Sequence, residues 1–283
     1  MKSDMECLIC LLKQAVNTVK IATQDKTLQR EVINRTADVI RNADLGLSPA
    51  VISTEVYRIV SDVTGVEDPY KQQKEQTNRE ALGMLPDLQK MISDADDVLD
   101  AAIHLAVAGN IIDTGIGYKY DLKHDIYVIM QTPFAINDIE SFKKELQPGR
   151  KILYLGDNSG EIVFDRVLIE QILTKGIDVT FAVKSGPIIN DAMMEDAQTA
   201  GITEIVPVIE TGSDDIGINF ERVSEKFRRT FDNADFILAK GHGNYETCSE
   251  LPYNIYFLLK AKCNVVAKEL GVNEGDIVFK RQT

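Results

Sequence analysis

A carboxylate and an amide stand side by side in Leu155-Gly156-Asp157-Asn158-Ser159-Gly160-Glu161, between two glycines, where an apolar run stops and a helical pattern begins. Asp157 and Asn158 offer hard oxygen donors of the kind Mg²⁺ or Mn²⁺ prefers. The glycines permit a tight turn, and helix-initial amides that could attract an anion follow. An N-cap role for Asp157 or Ser159 is common for these residue types. Capping alone leaves adjacent Asp, Asn, Ser and Glu between two glycines unexplained, so Ser159, Gly160 and Glu161 are expected to contact a bound group.

Two further segments have the same texture. Lys184-Ser185-Gly186-Pro187-Ile188-Ile189-Asn190-Asp191 also follows an apolar run, and Asp191 either caps the next helix or completes a carboxylate set around a cation held by Asp157. In Lys240-Gly241-His242-Gly243-Asn244-Tyr245-Glu246, the glycines let backbone approach a ligand and Lys240 supplies a point charge suited to phosphate oxygens. Asn244 adds a polar contact there, whereas His242 is either a general base or a polar filler between glycines. Gly109-Asn110-Ile111-Ile112-Asp113 looks like a helix end shaped for contact, with Asn110 and Asp113 exposing polar groups. The Glu210–Asp215 loop could close over the site. Cys7-x-x-Cys10 reads either as a metal or redox pair or as core packing. His104 and His124 have no supporting spacing.

Such residues need a scaffold, and the apolar pattern supplies one. From Met5 to about Asp100 apolar residues recur at helical spacing, with breaks at Leu47-Ser48-Pro49 and Glu67-Asp68-Pro69-Tyr70, which predicts about five helices in a helical domain over 1–100. After Gly149, Ile152–Leu155, Val179–Val183, Ile205–Ile209 and Phe236–Ala239 are short apolar runs without alternation, as in strands buried on both faces of a parallel sheet. Helical stretches at Ile162–Thr174 and Ala192–Ala200 lie between them. The reading is an α/β fold over 101–283, a three-layer, mostly parallel, Rossmann-like sheet, with further strands expected near Asn264–Ala267 and Ile126–Met130. In such sheets ligands bind beyond the carboxyl ends of the strands, where the three glycine-framed turns fall.

Composition narrows the partners. Hydrophobic residues at 44% and charged residues at 27% fit a folded protein rather than a disordered one. The formal net charge of -13 argues against a nucleic-acid partner, which needs clustered Lys and Arg. It does not argue against a small phosphate, because a bound cation reverses the sign of its pocket. No apolar stretch approaches the roughly 18–20 residues of a membrane helix, and Met1–Gln14 lacks the pattern of a signal peptide. A cytoplasmic protein without a membrane partner is expected, its four cysteines reduced. Oligomeric state leaves no trace in the pattern.

The Gly156-Asp157-Asn158-Ser159-Gly160-Glu161 and Lys240-Gly241-x-Gly243-Asn244-x-Glu246 turns resemble those of the damage-control phosphatases, a metal-dependent family that also includes proteins described as acidic-residue methyltransferases. Supporting matches are Gly109-Asn110-x-x-Asp113, Asp68-Pro69-Tyr70 with Lys74 and Asn78 beyond it, and Cys7-x-x-Cys10, which resembles the microbial branch. His242 departs from the pattern, where Gln is expected. The resemblance implies a divalent cation (Mn²⁺, Co²⁺, Ni²⁺ or Mg²⁺) held by Asp157, Asn158 and Asp191, and small phosphorylated metabolites as substrates. Asp157, Lys240, Asn110 and Asp113 are the expected catalytic residues, with Ser159, Gly160, Glu161, Gly241, Gly243 and Asn244 around the substrate. The runner-up readings are an S-adenosylmethionine-dependent carboxyl methyltransferase, which lacks its G-x-G signature here, and a phosphometabolite-binding module without turnover.

Overall fold

The protein is represented by a computed structural model that describes residues 1–109 and 122–282. Seven strands form one sheet in the order β1-β7-β6-β5-β2-β3-β4: β1 (Ile136–Asn137), β2 (Lys151–Leu155), β3 (Asp178–Val183), β4 (Val208–Glu210), β5 (Phe236–Lys240), β6 (Ile255–Lys260) and β7 (Ile277–Arg281). All pairings are parallel except that of β6 with β7. From β2 the chain steps outward to β3 and β4, then returns to place β5 on the other side of β2, so the strand order reverses between β2 and β5.

Alternate side chains of each strand enter different apolar layers. Tyr154, Phe181, Leu238 and Tyr256 face the layer shared with α8 (Glu161–Leu173), while Leu155, Ala182, Ala239 and Phe257 face the layer shared with α10 (Glu225–Asp232), α11 (Gly241–Cys248) and α12 (Asn264–Leu270). Both faces are covered, which is why these strands read as continuous apolar runs.

The amino-terminal helices are α1 (Met5–Ala22), α2 (Lys26–Asn42), α3 (Pro49–Thr64) and α4 (Lys71–Ser93), followed by α5 (Val98–Ala108). Ser48 caps α3 through Val51 N–H with Pro49 in the first turn, as the sequence pattern predicts. Leu11, Ala15, Val32, Ile52 and Val56 of α1–α3 form a separate apolar cluster. Ala81, Leu88 and Ile92 of α4 instead join α5 and α8 in the sheet layer.

Two expected strands are helices. Ile126–Met130 lies in α6 (Leu122–Gln131), followed by the two-residue β1, and α7 is Ile139–Glu145. Asn264–Ala267 opens α12, and the strand of that region is the more strongly apolar Ile255–Lys260. Short apolar runs do not distinguish a buried strand from a buried helix segment by periodicity alone. The expected Ala192–Ala200 helix is α9, Met194–Thr199.

Candidate active site

The turn after β2 and the segment before α9 are joined through their backbones. Ala192 N–H donates to Asp157 O (2.8 Å), Ser159 N–H donates to Asn190 O (2.9 Å), and Asn158 and Asp191 form an antiparallel bridge. This joining brings Asp157, Asn158 and Asp191 to one cavity of about 520 Å³ at the carboxyl end of the sheet, beside the point where the strand order reverses. The helical region forms its opposite wall through Cys7, Cys10, Gln14, Ser53, Tyr57 and Tyr70.

The position of the Asp157 carboxylate depends on Gly241. That residue has φ +78°, and a Cβ built on it would lie 1.9 Å from Asp157 Oδ2. Glycine is therefore required there twice, for the left-handed backbone and for the space the carboxylate occupies. Asn158 Nδ2 donates to Asp157 Oδ2 (3.0 Å) and lies 3.4 Å from Glu161 Oε2. With its nitrogen so engaged, the Asn158 amide presents a carbonyl oxygen as its remaining donor. Ser159 Oγ is buried without a hydrogen-bond partner among the described residues. Two carboxylates and an amide oxygen, beside an unsatisfied hydroxyl, have the donor chemistry that suits a hard divalent cation. Among the described residues no three His, Cys, Asp or Glu side chains converge as a metal cluster.

Other expected site residues are placed differently. Lys240 is fully buried, and its ammonium contacts Ala106 O (2.8 Å), Glu161 Oε1 (2.6 Å) and Asp165 Oδ1 (2.6 Å). Three acceptors match its three N–H groups, leaving none for a phosphate. Burial alone would lower its pKa, but Asp165 and Glu161 hold it well above the usual lysine value. Glu161 is likewise fully buried; burial raises its carboxyl, and Lys240 opposes that. Lys240, expected as a catalytic residue, and Glu161, expected around the substrate, belong here to one buried ion cluster.

Gly160 meets protein rather than the cavity, whereas Gly243 lines the cavity and also packs closely on protein. A Cβ at Gly160 (φ +75°) would lie 2.9 Å from Thr77 Cβ, and one at Gly243 would lie 2.9 Å from Ile216 Cγ2. Asn78 fastens the first of these approaches, accepting from Gly160 N–H (2.7 Å) and donating to Asp196 Oδ1 (2.6 Å). Lys74 pairs with Asp68 at 2.6 Å. Asn244 Nδ2 donates to the carbonyls of Gly156 (3.2 Å) and Lys240 (2.8 Å), tying the β2 and β5 turns together. Asn110 and Asp113 lie outside the described residues.

His242 Nε2 accepts from Lys262 N–H (2.9 Å) and lies 2.8 Å from Lys260 O. Burial and the Lys262 ammonium push the imidazole down to about 4, so the ring is neutral at pH 7 and positions the loop after β6. Asp214 and Asp215 bind Arg58 of α3 at 2.8 and 2.7 Å, so the Glu210–Asp215 loop is fastened to the helical region. A second polar cavity of about 590 Å³ lies there and shares Tyr57, Tyr70 and Ile189 with the first. Ile189, two residues before Asp191, has φ +47°, a conformation that costs energy for a β-branched residue.

Sequence reasoning missed Glu246, Cys263 and Lys262 as cavity-lining residues and the tyrosines of α3 and the α4 entry. Glu246 carried a signal, four residues after His242 on one helix face. Cys263 carried none, because its meeting with Cys7 and Cys10 is purely tertiary.

The fold and site define a doubly wound α/β protein that presents a carboxylate–amide–carboxylate donor set at its switch point. The damage-control phosphatase ARMT1-like domain family matches residues 3–278, and the chain belongs to that family. It is 36% identical to a damage-control phosphatase from Pyrococcus horikoshii, covering 99% of this chain and 98% of the relative. It is 39% identical to an uncharacterised protein from Methanocaldococcus jannaschii, covering 99% of this chain and 96% of the relative. The crystal structure of a DUF89 family protein from Pyrococcus horikoshii superposes with a TM-score of 0.91 at 34% identity, covering 100% of both chains.

Proposed function

We propose that this protein is a metal-dependent phosphomonoester hydrolase acting on small phosphorylated metabolites, either sugar phosphates or damaged phosphorylated compounds. The observation that carries this reading is the joining of the 157–159 and 190–192 backbones, which puts Asp157, Asn158 and Asp191 on one cavity wall. The relatives named damage-control phosphatases support the same class of reaction.

Asp157, Asn158 and Asp191 would hold Mn²⁺, Co²⁺, Ni²⁺ or Mg²⁺. Such an ion supplies a Lewis acid for phosphoryl oxygens and offsets charge in the transition state. The protein's own groups hold and orient the ester. α11 starts at Gly241 beside the Asp157 carboxylate, the helix-initial N–H groups of Gly241, His242 and Gly243 would serve phosphate oxygens, and Lys262 lines the same cavity. Tyr57, Tyr70 and Gln14 from the helical region would face the leaving group and exclude water from it. Among the described residues no helix is long and apolar enough to cross a membrane, which agrees with a metabolite substrate reached from solution.

Phosphate release from a panel of sugar phosphates and one aryl phosphate, with chelated protein resupplied with each cation in turn, tests the proposal. Release that requires metal is the expected result. No release with any cation would return weight to the methyltransferase and to the binding module without turnover.

A further inference from the structure

Helix α11 begins at the Asp157 carboxylate, and Glu246 further along it lines the same cavity. Five residues separate Gly241 from Glu246, a rise of about 7.5 Å along the axis. Asp157 and Glu246 line one cavity of about 520 Å³, a space that admits a phosphoryl group and its ester oxygen.

The surroundings of Glu246 are poor in charge. Cys7 and Cys10 of α1 and Cys263 before α12 face it, and burial raises all three thiols, which keeps them neutral near pH 7. The amino-terminal ammonium, bonded to the Glu246 carbonyl at 3.0 Å, and the Ala50 N–H at the start of α3 both favour the carboxylate. Glu6 and Lys262 are further charged groups lining the cavity. Burial outweighs the favourable contacts and brings the Glu246 carboxyl up to about 7. A group that titrates near the working pH is suited to proton transfer.

Resting on the phosphatase reading above, we propose that Glu246 is the general acid for the leaving group. As the phosphorus–ester oxygen bond breaks, its electron pair stays on the ester oxygen, which takes the Glu246 proton and leaves as an alcohol. The attacking water forms the new P–O bond on the opposite side of phosphorus and sheds its proton to solvent, from which the Glu246 carboxylate is reprotonated for the next turnover.

Glu246→Gln retains an acceptor for the Ala50 N–H but has no acidic proton. Its kcat/KM is measured beside the parent enzyme on an alkyl phosphate and on 4-nitrophenyl phosphate, with metal supplied, from pH 5 to 9. Alkyl phosphates need their leaving group protonated, so a loss of about a hundredfold or more is expected there, with less than about fivefold on the aryl ester. The parent's decline in alkyl-ester turnover above about pH 7 should disappear in the variant, and Glu246→Asp should recover part of the lost rate. Circular dichroism and retained aryl-ester turnover report that the variant is folded. Equal loss on both esters in a folded variant, or loss on neither, overturns the proposal while leaving the phosphatase reading in place. Parent enzyme inactive on both esters overturns the reading itself.

Discussion

Two charged clusters lie within one hydrogen bond of each other and differ in almost every property. Asp157, Asn158 and Asp191 face a cavity, whereas Lys240, Glu161 and Asp165 are sealed between β5, α8 and α5. Asn158 Nδ2 touches both, 3.0 Å from Asp157 and 3.4 Å from Glu161. The residue types are alike, so chemistry alone does not separate a site from a strut. Their place on a cavity does: Asp157, Asn158 and Asp191 line it, though Asn158 and Asp191 are largely buried, while the sealed set has saturated its ammonium with protein acceptors. A buried ion cluster of that kind is costly to break rather than a large net source of stability. It can also fix the start of α8 against the sheet, and with it the turn that carries Asp157.

The comparison is tested most severely by Lys240→Met. Removing the ammonium strands two buried carboxyls, and urea unfolding should show a loss of about 3–5 kcal/mol. A loss below about 1 kcal/mol would mean that the cluster relaxes and does not anchor α8. Asp157→Ala should do the reverse, leaving the unfolding midpoint nearly unchanged while metal-dependent turnover falls by about 10²–10³-fold or more. Full turnover in a folded Asp157→Ala protein would remove the cavity-lining set from the active site.

Gly241→Ala sharpens the boundary between the clusters. The added methyl would occupy the place of the Asp157 carboxylate, so metal affinity by calorimetry should weaken by about 10–100-fold, with about 1–2 kcal/mol lost in stability from the positive φ. Unchanged affinity would show that the carboxylate can be held elsewhere.

The smallest effect should come from His242→Gln. The folded imidazole has a pKa of about 4 against an ordinary value of 6.5, so between those pH values the unfolded chain binds more protons. The stability from this group is therefore complete above pH 6.5 and is lost as pH falls toward 4. Replacing the ring should lessen that acid sensitivity by about 1–2 kcal/mol at pH 5, measured by chemical denaturation at several pH values. An identical pH dependence in both proteins would show that His242 does not titrate as its burial implies.

Much of this is legible in the sequence. The apolar runs of β2, β3 and β5 identify a sheet covered on both faces, Ser48-Pro49 marks the start of α3, and the glycine-framed turns locate the carboxyl ends of the strands beside the cavity. The strand expected at Asn264–Ala267 is instead the first turn of α12, because a short apolar run fits a helix turn as well as a strand. That Glu161 and Lys240 pair with each other inside the protein is not legible in the sequence, because residue type records affinity for a partner without naming it.

Local patterns depend on neighbours within a few residues, which is why the sequence by itself determined β2, β3 and β5 and the tight turns that follow them. The tertiary structure decided which charges face water. Lys240 lies on the same strand face as Phe236 and Leu238, a consequence of the two-residue period, but only the β2–α8–β3 crossover places Glu161 and Asp165 over that face. The convergence of Cys7, Cys10, Cys263 and Glu246 on the cavity is of the same kind. It requires α1, α11 and α12 to pack around one opening, and no spacing along the chain encodes a meeting between residues about 250 positions apart.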